Sequence, residues 1–245
     1  MLKFFRKIRQ NLLTENKFSK YLLYSIGEIL LVVIGILIAL QINNRNDLSK
    51  LEDKKQLYYD QLLIDISKDT TDIRQTVNRF KKSIGTFDAY IESYSKPNLD
   101  IETVISNLSK IDFTYPIITF KTNTITTLLQ TGDIGLMPID IRNNILDIKR
   151  IQMINENQRD QLDPEYMRLQ MDARKLGFSS IINRLRNQEQ LSGILNIKDN
   201  WDEIVLIGES AFLLKNYIEK ERIRSYELLL SEYRNLESKI KIEKK

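Results

Sequence analysis

The amino-acid sequence predicts an all-α protein in which one N-terminal transmembrane helix continues into a long helix that packs in an antiparallel helical bundle. Three observations predict this. Tyr21–Ile42 reads YLLYSIGEILLVVIGILIALQI, with a single ionisable side chain in the whole run. Beyond it, apolar residues recur at spacings of three and four for more than forty residues, the period of a helix face. Finally, eight glycines and four prolines in 245 residues are too few for a β-fold rich in loops.

Charge and composition remove several functions before any motif is considered. The net charge is +4, and residues 1–42 account for all of it, with six cations (Lys3, Arg6, Lys7, Arg9, Lys17, Lys20) against Glu15 and Glu28. The remaining 203 residues carry 31 charges of each sign, so they offer no general attraction for phosphate backbones, and no nucleic-acid partner is expected. Cysteine and histidine are both absent. This excludes disulfides, Cys/His zinc sites, cysteine nucleophiles, Ser-His-Asp chemistry and imidazole acid/base work. Carboxylate or lysine catalysis survives in principle.

The basic tail, residues 1–20, places Met1, Leu2, Phe5, Ile8 and Leu12 near one side of a helix and Lys3, Lys7 and Gln10 opposite. That pattern suits an amphipathic segment on an anionic leaflet; an unstructured basic flank is the equal alternative. Residues 21–42 span roughly 33 Å as a helix, the thickness of a bilayer core. No A-x-A cleavage pattern follows the apolar run, since Ile38-Ala39-Leu40-Gln41-Ile42 occupies that position, so the segment is expected to stay as an anchor. The six cations before it outweigh Arg45 and Lys50 just after it. The positive-inside bias then puts the N-terminus in the cytoplasm and residues 43–245 across the membrane.

Within the span, Tyr21, Tyr24, Glu28, Gly35 and Ala39 share one helical stripe, with Ser25 at its edge. Gly35 and Ala39 form a small-xxx-small pair that permits close backbone approach. An ionised, unpaired Glu28 costs a few kcal/mol in lipid, so it is expected to be protonated, to snorkel to the interface, or to meet a partner. The stripe is read as an assembly surface for a homo-oligomer or for another membrane protein; a snorkelling glutamate on a lone helix is the bland alternative.

The opening LKFFRKIRQNLLTENKFSKYLLYSIGEILLVVIGILIALQINN resembles the start of the domain-of-unknown-function 6090 family of Bacteroidota membrane proteins, on FFRKIR and on IGEILLVVIGILIALQINN with its Glu28. The chain departs from the family pattern at Asn44-Arg45-Asn46, where an aromatic Asn-Trp-Asn is expected. The later TNTITTLLQTGDIGLMPIDIRNNILDIKR is similar in general form. The resemblance implies a Gram-negative inner-membrane protein with a periplasmic domain, and it implies no activity.

After the span, Leu48, Leu51, Tyr58, Leu62, Ile66, Ile73, Val77, Phe80, Ile84, Phe87, Ile91 and Tyr94 mark one apolar face, uninterrupted until Lys96-Pro97-Asn98. The spacing predicts one long rod, and the polar seam positions Lys55 and Asp69 favour a bundle over a coiled-coil seam. Next come a short helix from Asp100 to about Lys110, a threonine-rich stretch with Pro116 (residues 111–123), and a helix from about Asn123 that stops at Gly132. Asp133–Met137 links it to a helix opening at Pro138. Asp163-Pro164-Glu165 reads as a further cap and helix start, and Gly177 and Gly193 as later breaks. The last helical signal runs from Asp199 through Trp201, Ile204, Phe212, Tyr226, Leu229, Tyr233 and Leu236 to Ile240.

Candidate chemistry is sparse. Asp65, Asp69 and Asp72 lie on one face of the rod and could hold a hard cation, though such a trio is far more often a solvated face. Asp199, Asp202 and Glu203 suit a helix N-terminus. Gly132-Asp133-Ile134-Gly135 lacks the lysine and hydroxyl of a phosphate loop. No catalytic residue, cofactor or metal is assigned. The expected function is a membrane-anchored helical interaction or assembly module, with a ligand-sensing ectodomain that signals through a separate membrane partner as the alternative.

Overall fold

The computed structural model describes residues 18–114, 116–178, 184–185 and 187–244. The basic tail with Lys3, Arg6, Lys7, Arg9 and Lys17 lies outside the described residues, as do the side chains of Lys20 and Tyr21. Every regular element among the described residues is helical: α1 (Phe18–Ser93), α2 (Ile101–Leu108), α3 (Asn123–Thr131), α4 (Ile139–Lys175), α5 (Glu189–Leu195) and α6 (Trp201–Glu243), with 3-10 turns at Asp133–Leu136 and Ile197–Asn200. The all-α expectation holds.

The chain divides into two compact units, Met1–Leu57 and Tyr58–Lys245. Burial on α1 begins at Tyr58 and follows a helical period through Tyr59, Leu62, Ile66, Ile73, Val77, Phe80, Phe87 and Tyr90. Four members of the expected apolar face depart from it: Leu48, Leu51, Ile91 and Tyr94 are exposed. They have the right spacing but lie outside the packed cores, Tyr94 meeting only the Tyr90 ring one turn away at 5.4 Å among the contacts described.

In the second unit, α1 and α6 run antiparallel, as the pairs Asp69–Tyr233, Lys81–Glu227, Ser83–Lys215 and Tyr90–Glu209 record. α4 and α6 are antiparallel too, through Asn144–Glu232, Gln152–Tyr233, Asn155–Ser225 and Asp163–Arg222. One core joins Tyr59, Leu62, Phe80, Leu128, Ile141, Ile145, Ile148, Leu229, Leu236 and Ile240. A second, around Phe87, Ile105, Leu108, Phe178, Ile204 and Phe212, has Phe113 against the rings of Phe178 and Phe212 at 5.0 and 4.5 Å.

Backbone chemistry sets most helix ends. Asp100 caps α2 by accepting the Thr103 N–H at 2.7 Å. Gly132 (φ 75°) ends α3 in the left-handed region, and Pro138, at the N-cap of α4, contributes no orphan N–H. Gly177 (φ 105°) closes α4 as a Schellman turn, with Phe178 N–H donating to Ala173 O at 2.9 Å and Gly177 N–H to Arg174 O at 3.1 Å.

Two expected boundaries are corrected. Asp163-Pro164-Glu165 starts no helix: α4 runs through Pro164, and Asp163 is buried with its carboxylate on Arg222 instead of on backbone N–H groups. Packing along α6 on both sides of Pro164 outweighs the hydrogen bond the proline forfeits, a tertiary override of local propensity. Gly193 lies inside α5, and the break falls at Asn196, which takes the left-handed conformation (φ 45°).

The threonine-rich stretch forms no regular element among its described residues and is pinned to α1 by carboxylates. The Lys121 N–H donates to Asp69 Oδ1 at 3.0 Å and the Tyr233 hydroxyl to Asp69 Oδ2 at 2.7 Å, while the Thr124 hydroxyl donates to Asp65 Oδ2 at 2.6 Å. Burial pushes the Asp69 carboxyl above the usual carboxylate range, opposed by the hydrogen bonds from Tyr233 and Lys121.

Asp69→Ala leaves both donors without an acceptor and is expected to cost about 3 kcal/mol in chemical denaturation of the full chain in detergent; a change within about 0.5 kcal/mol contradicts that role for Asp69. Gly132→Ala meets only backbone strain, since no atom lies within 4 Å of an added Cβ, whereas at Gly177 the new Cβ would also meet Ile197 Cγ2 at 2.8 Å. Gly132→Ala should cost about 1 kcal/mol and Gly177→Ala clearly more, and the reverse order in thermal melts contradicts the assignment.

Candidate functional site

Two features of the described residues lie outside ordinary core packing: the apolar segment of α1 and a polar cleft in the second unit. The segment is the one stretch of the described residues long and apolar enough to cross a membrane, and its 18-residue window of highest hydropathy (2.5) is entirely unburied. Leu23 is 77% exposed, and every residue from Ile29 to Leu40 is exposed. These side chains belong to no packed core among the described residues.

The expected stripe is partly distinguished from its surroundings. Tyr24, Ser25 and Glu28 are half-buried, while Gly35 and Ala39 are exposed, and no atom lies within 4 Å of a Cβ added at Gly35. Neither Tyr24 nor Glu28 lacks a contact partner. Gly35 thus presents open backbone along a face of large aliphatic side chains.

The cleft, with a volume of about 680 Å³, opens between α1, the 110–116 loop and α6. Arg79, Lys82, Ser83 and Thr86 line it from α1, Lys110, Asp112 and Thr114 from the loop, and Glu219 from α6. Helical spacing brings Arg79, Lys82, Ser83 and Thr86 to one side of α1. Asp112 is held by its own loop, accepting the Thr114 N–H at 2.9 Å and the Thr114 hydroxyl at 2.8 Å. At the floor, Lys215 and Glu219 are each 2% exposed and form an ion pair one turn apart at 2.9 Å, and Lys215 Nζ also donates to Ser83 Oγ. The Glu219 carboxylate is thus held by the Lys215 ammonium, with Ser83 of α1 beside them both. Burial raises the Glu219 carboxyl above its ordinary value, with the Lys215 charge opposing it.

Other candidate chemistry is structural. The aspartate trio is dispersed, with Asp65 and Asp69 tied to the 121–124 segment and Asp72 exposed, and no metal-holding cluster occurs among the described residues. Asp202 lies in the first turn of α6, accepting the Glu203 N–H at 2.8 Å, and Asp199 sits in the preceding 3-10 turn. Asp133 takes hydrogen bonds from Tyr58 and Thr131, each at 2.7 Å. Tyr90 bridges to Glu209 at 2.6 Å and Tyr94 at 2.7 Å; burial, then the Glu209 contact, drives its phenol far above its ordinary value.

Sequence reasoning missed the cleft because its walls come from three separate segments. The one local signal was Lys215, Glu219 and Arg222, three charged residues on the face of α6 that otherwise carries Phe212, Tyr226 and Leu229. Charges at core positions of an amphipathic helix are costly unless they are paired or used.

Comparison with known proteins adds a family and nothing further. No curated protein and no solved structure matches the chain. Residues 28–153, from Glu28 in the apolar segment through α3 and into α4, match the family of unknown function DUF6090. That match spans just over half of the sequence, and the chain belongs to the DUF6090 family.

Proposed function

We propose that this chain is a single-pass inner-membrane protein of a Gram-negative bacterium of the Bacteroidota, with residues 1–20 in the cytoplasm, 21–42 across the bilayer and 43–245 in the periplasm. There it serves as a non-catalytic interaction and assembly module. The observation that carries this reading is the segment of α1 that is apolar all round and exposed along its length. The excess of Lys and Arg before the segment supports the orientation. Family membership is consistent with the reading but names no activity.

The stripe Tyr21, Tyr24, Ser25, Glu28, Gly35 and Ala39 is the proposed assembly surface within the bilayer, toward a second copy or another membrane protein. Helix association in lipid rests on close packing and polar contacts, and Gly35 and Ala39 permit close approach while Glu28 supplies a polar group. A ligand-sensing domain that signals through a separate membrane partner is the second reading, favoured by the cleft at Arg79, Lys82 and Glu219.

Native complex extracted in mild detergent should exceed the mass of one chain with its micelle, and Gly35→Leu should reduce that mass while leaving the helical melt of the second unit unchanged. An unaltered mass in Gly35→Leu removes the stripe from the account. Topology can be read without background because the chain has no cysteine. A membrane-impermeant thiol reagent added to cells with a permeabilised outer membrane should label Asn157→Cys, and it should reach Lys7→Cys only after lysis. Labelling in the opposite order contradicts the orientation.

A further inference from the structure

We propose that the outer faces of α4 and α6 are the two halves of a contact between copies of this chain, with α4 of one copy lying antiparallel against α6 of the next. The proposal deepens the assembly reading and rests on it, since it names the partner as a second copy.

Both helices carry apolar residues on the side turned away from the bundle. On α4 these are Ile139, Leu146, Met153, Pro164, Met167 and Met171, and on α6 they are Leu206, Leu213, Tyr217, Leu228 and Ile242. All are exposed, none of the large side chains by less than 42%. At the helical period each set falls within about 80° of arc, so each forms a stripe. Neither stripe contributes a residue to the packed cores. Exposed apolar residues scattered singly are ordinary, whereas residues aligned along a helix mark a contact surface.

Contacts inside the chain fix which residues of the two helices stand at one level. Asn144 meets Glu232, Asn155 meets Ser225 and Asp163 meets Arg222. Neighbours related by rotation about an axis along the bundle, as chains anchored in one bilayer can be, keep those levels. To within about a turn, Ile139 then stands opposite Ile242 of the next copy, Met153 opposite Leu228, Pro164 opposite Tyr217 and Met167 opposite Leu213. Apolar groups therefore meet apolar groups at four levels of one antiparallel pairing.

Charge selects this register from its neighbours. Asp160, whose one described ion pair is with the adjacent Arg159, falls beside the exposed Lys220 of the next copy. A slip of two turns either way sets Asp160 against Leu213 or Leu228 instead, leaving a carboxylate among apolar side chains. Pairing of like faces is no better. Parallel copies of α4 in register would set Asp160 against Asp160, and parallel copies of α6 would set Arg224 against Arg224. A contact between unlike faces passes from copy to copy, so it closes into a ring or extends as a row.

The chain has no cysteine, so single-cysteine variants of the full chain, co-expressed in pairs and oxidised in their own membrane, can trap the contact. Met153→Cys with Leu228→Cys, and Met167→Cys with Leu213→Cys, should each give a disulfide-linked dimer, because facing Cβ atoms come within bonding reach. None of the four variants should cross-link when expressed alone. Met153→Cys with Leu213→Cys, roughly 20 Å out of level, should not cross-link either. All four replace exposed side chains, and an unchanged thermal melt certifies the fold. Self-cross-linking of a single variant, equal yield from the mismatched pair, or no dimer from either matched pair overturns the proposal. In that event a native complex heavier than one chain leaves the assembly reading standing, and a single-chain mass sinks both.

Discussion

An apolar helix face has to be covered, and where the cover comes from organises this protein. From Tyr58 to Tyr90 the apolar residues of α1 return every three or four positions, and α4 and α6 supply the opposing surface. From Ile29 to Leu40 the apolar residues go all the way round the same helix, and every one of them is exposed. A stripe is satisfied by neighbouring helices; an unbroken apolar cylinder inside a run of bilayer length, residues 21–42, is suited to lipid, which is why the proposed function begins there.

Inside the second unit, burial alone would leave the helices free to slide, because aliphatic ridges repeat every turn. Polar groups at single positions set the register. Tyr233 joins α6 to both α1 and α4, donating to Asp69 while accepting from Gln152 Nε2 at 3.0 Å, and Asp163 with Arg222 marks a second level of the α4–α6 contact. Such groups are costly to bury and cannot be satisfied in a shifted pairing, so they specify one alignment while adding little net stability. The Lys215–Glu219 pair differs from these because it lines a cleft and bridges to α1 only through Ser83.

How much of this was legible in the sequence depended on whether the signal was local. Gly132, Pro138 and Gly177 stop or start helices through their own backbone chemistry, and each stood where the sequence placed it. The apolar run was legible for the same reason, since no other segment competes with it. Pro164 and Gly193 misled because tertiary packing overrode a weak local preference. The outer limits of the bundle face, beyond which Leu48, Leu51, Ile91 and Tyr94 lie exposed, depend on where partner helices are packed, and spacing along one helix does not encode that. The cleft was illegible because Arg79, Lys110 and Glu219 meet only after folding. The stripe at Gly35 and Ala39 was readable as a pattern, and the use proposed for it would need contacts with other chains.

The central claim is that lipid covers the Ile29–Leu40 surface while the second unit stays in water. Tryptophan quenching by brominated lipid tests this directly, because the chain has a single tryptophan, Trp201. In vesicles of brominated phospholipid, the account predicts strong quenching of Ile34→Trp in a Trp201→Phe background and none of Trp201 in the native chain. Equal quenching of the two positions, or an unquenched tryptophan at position 34, would contradict it.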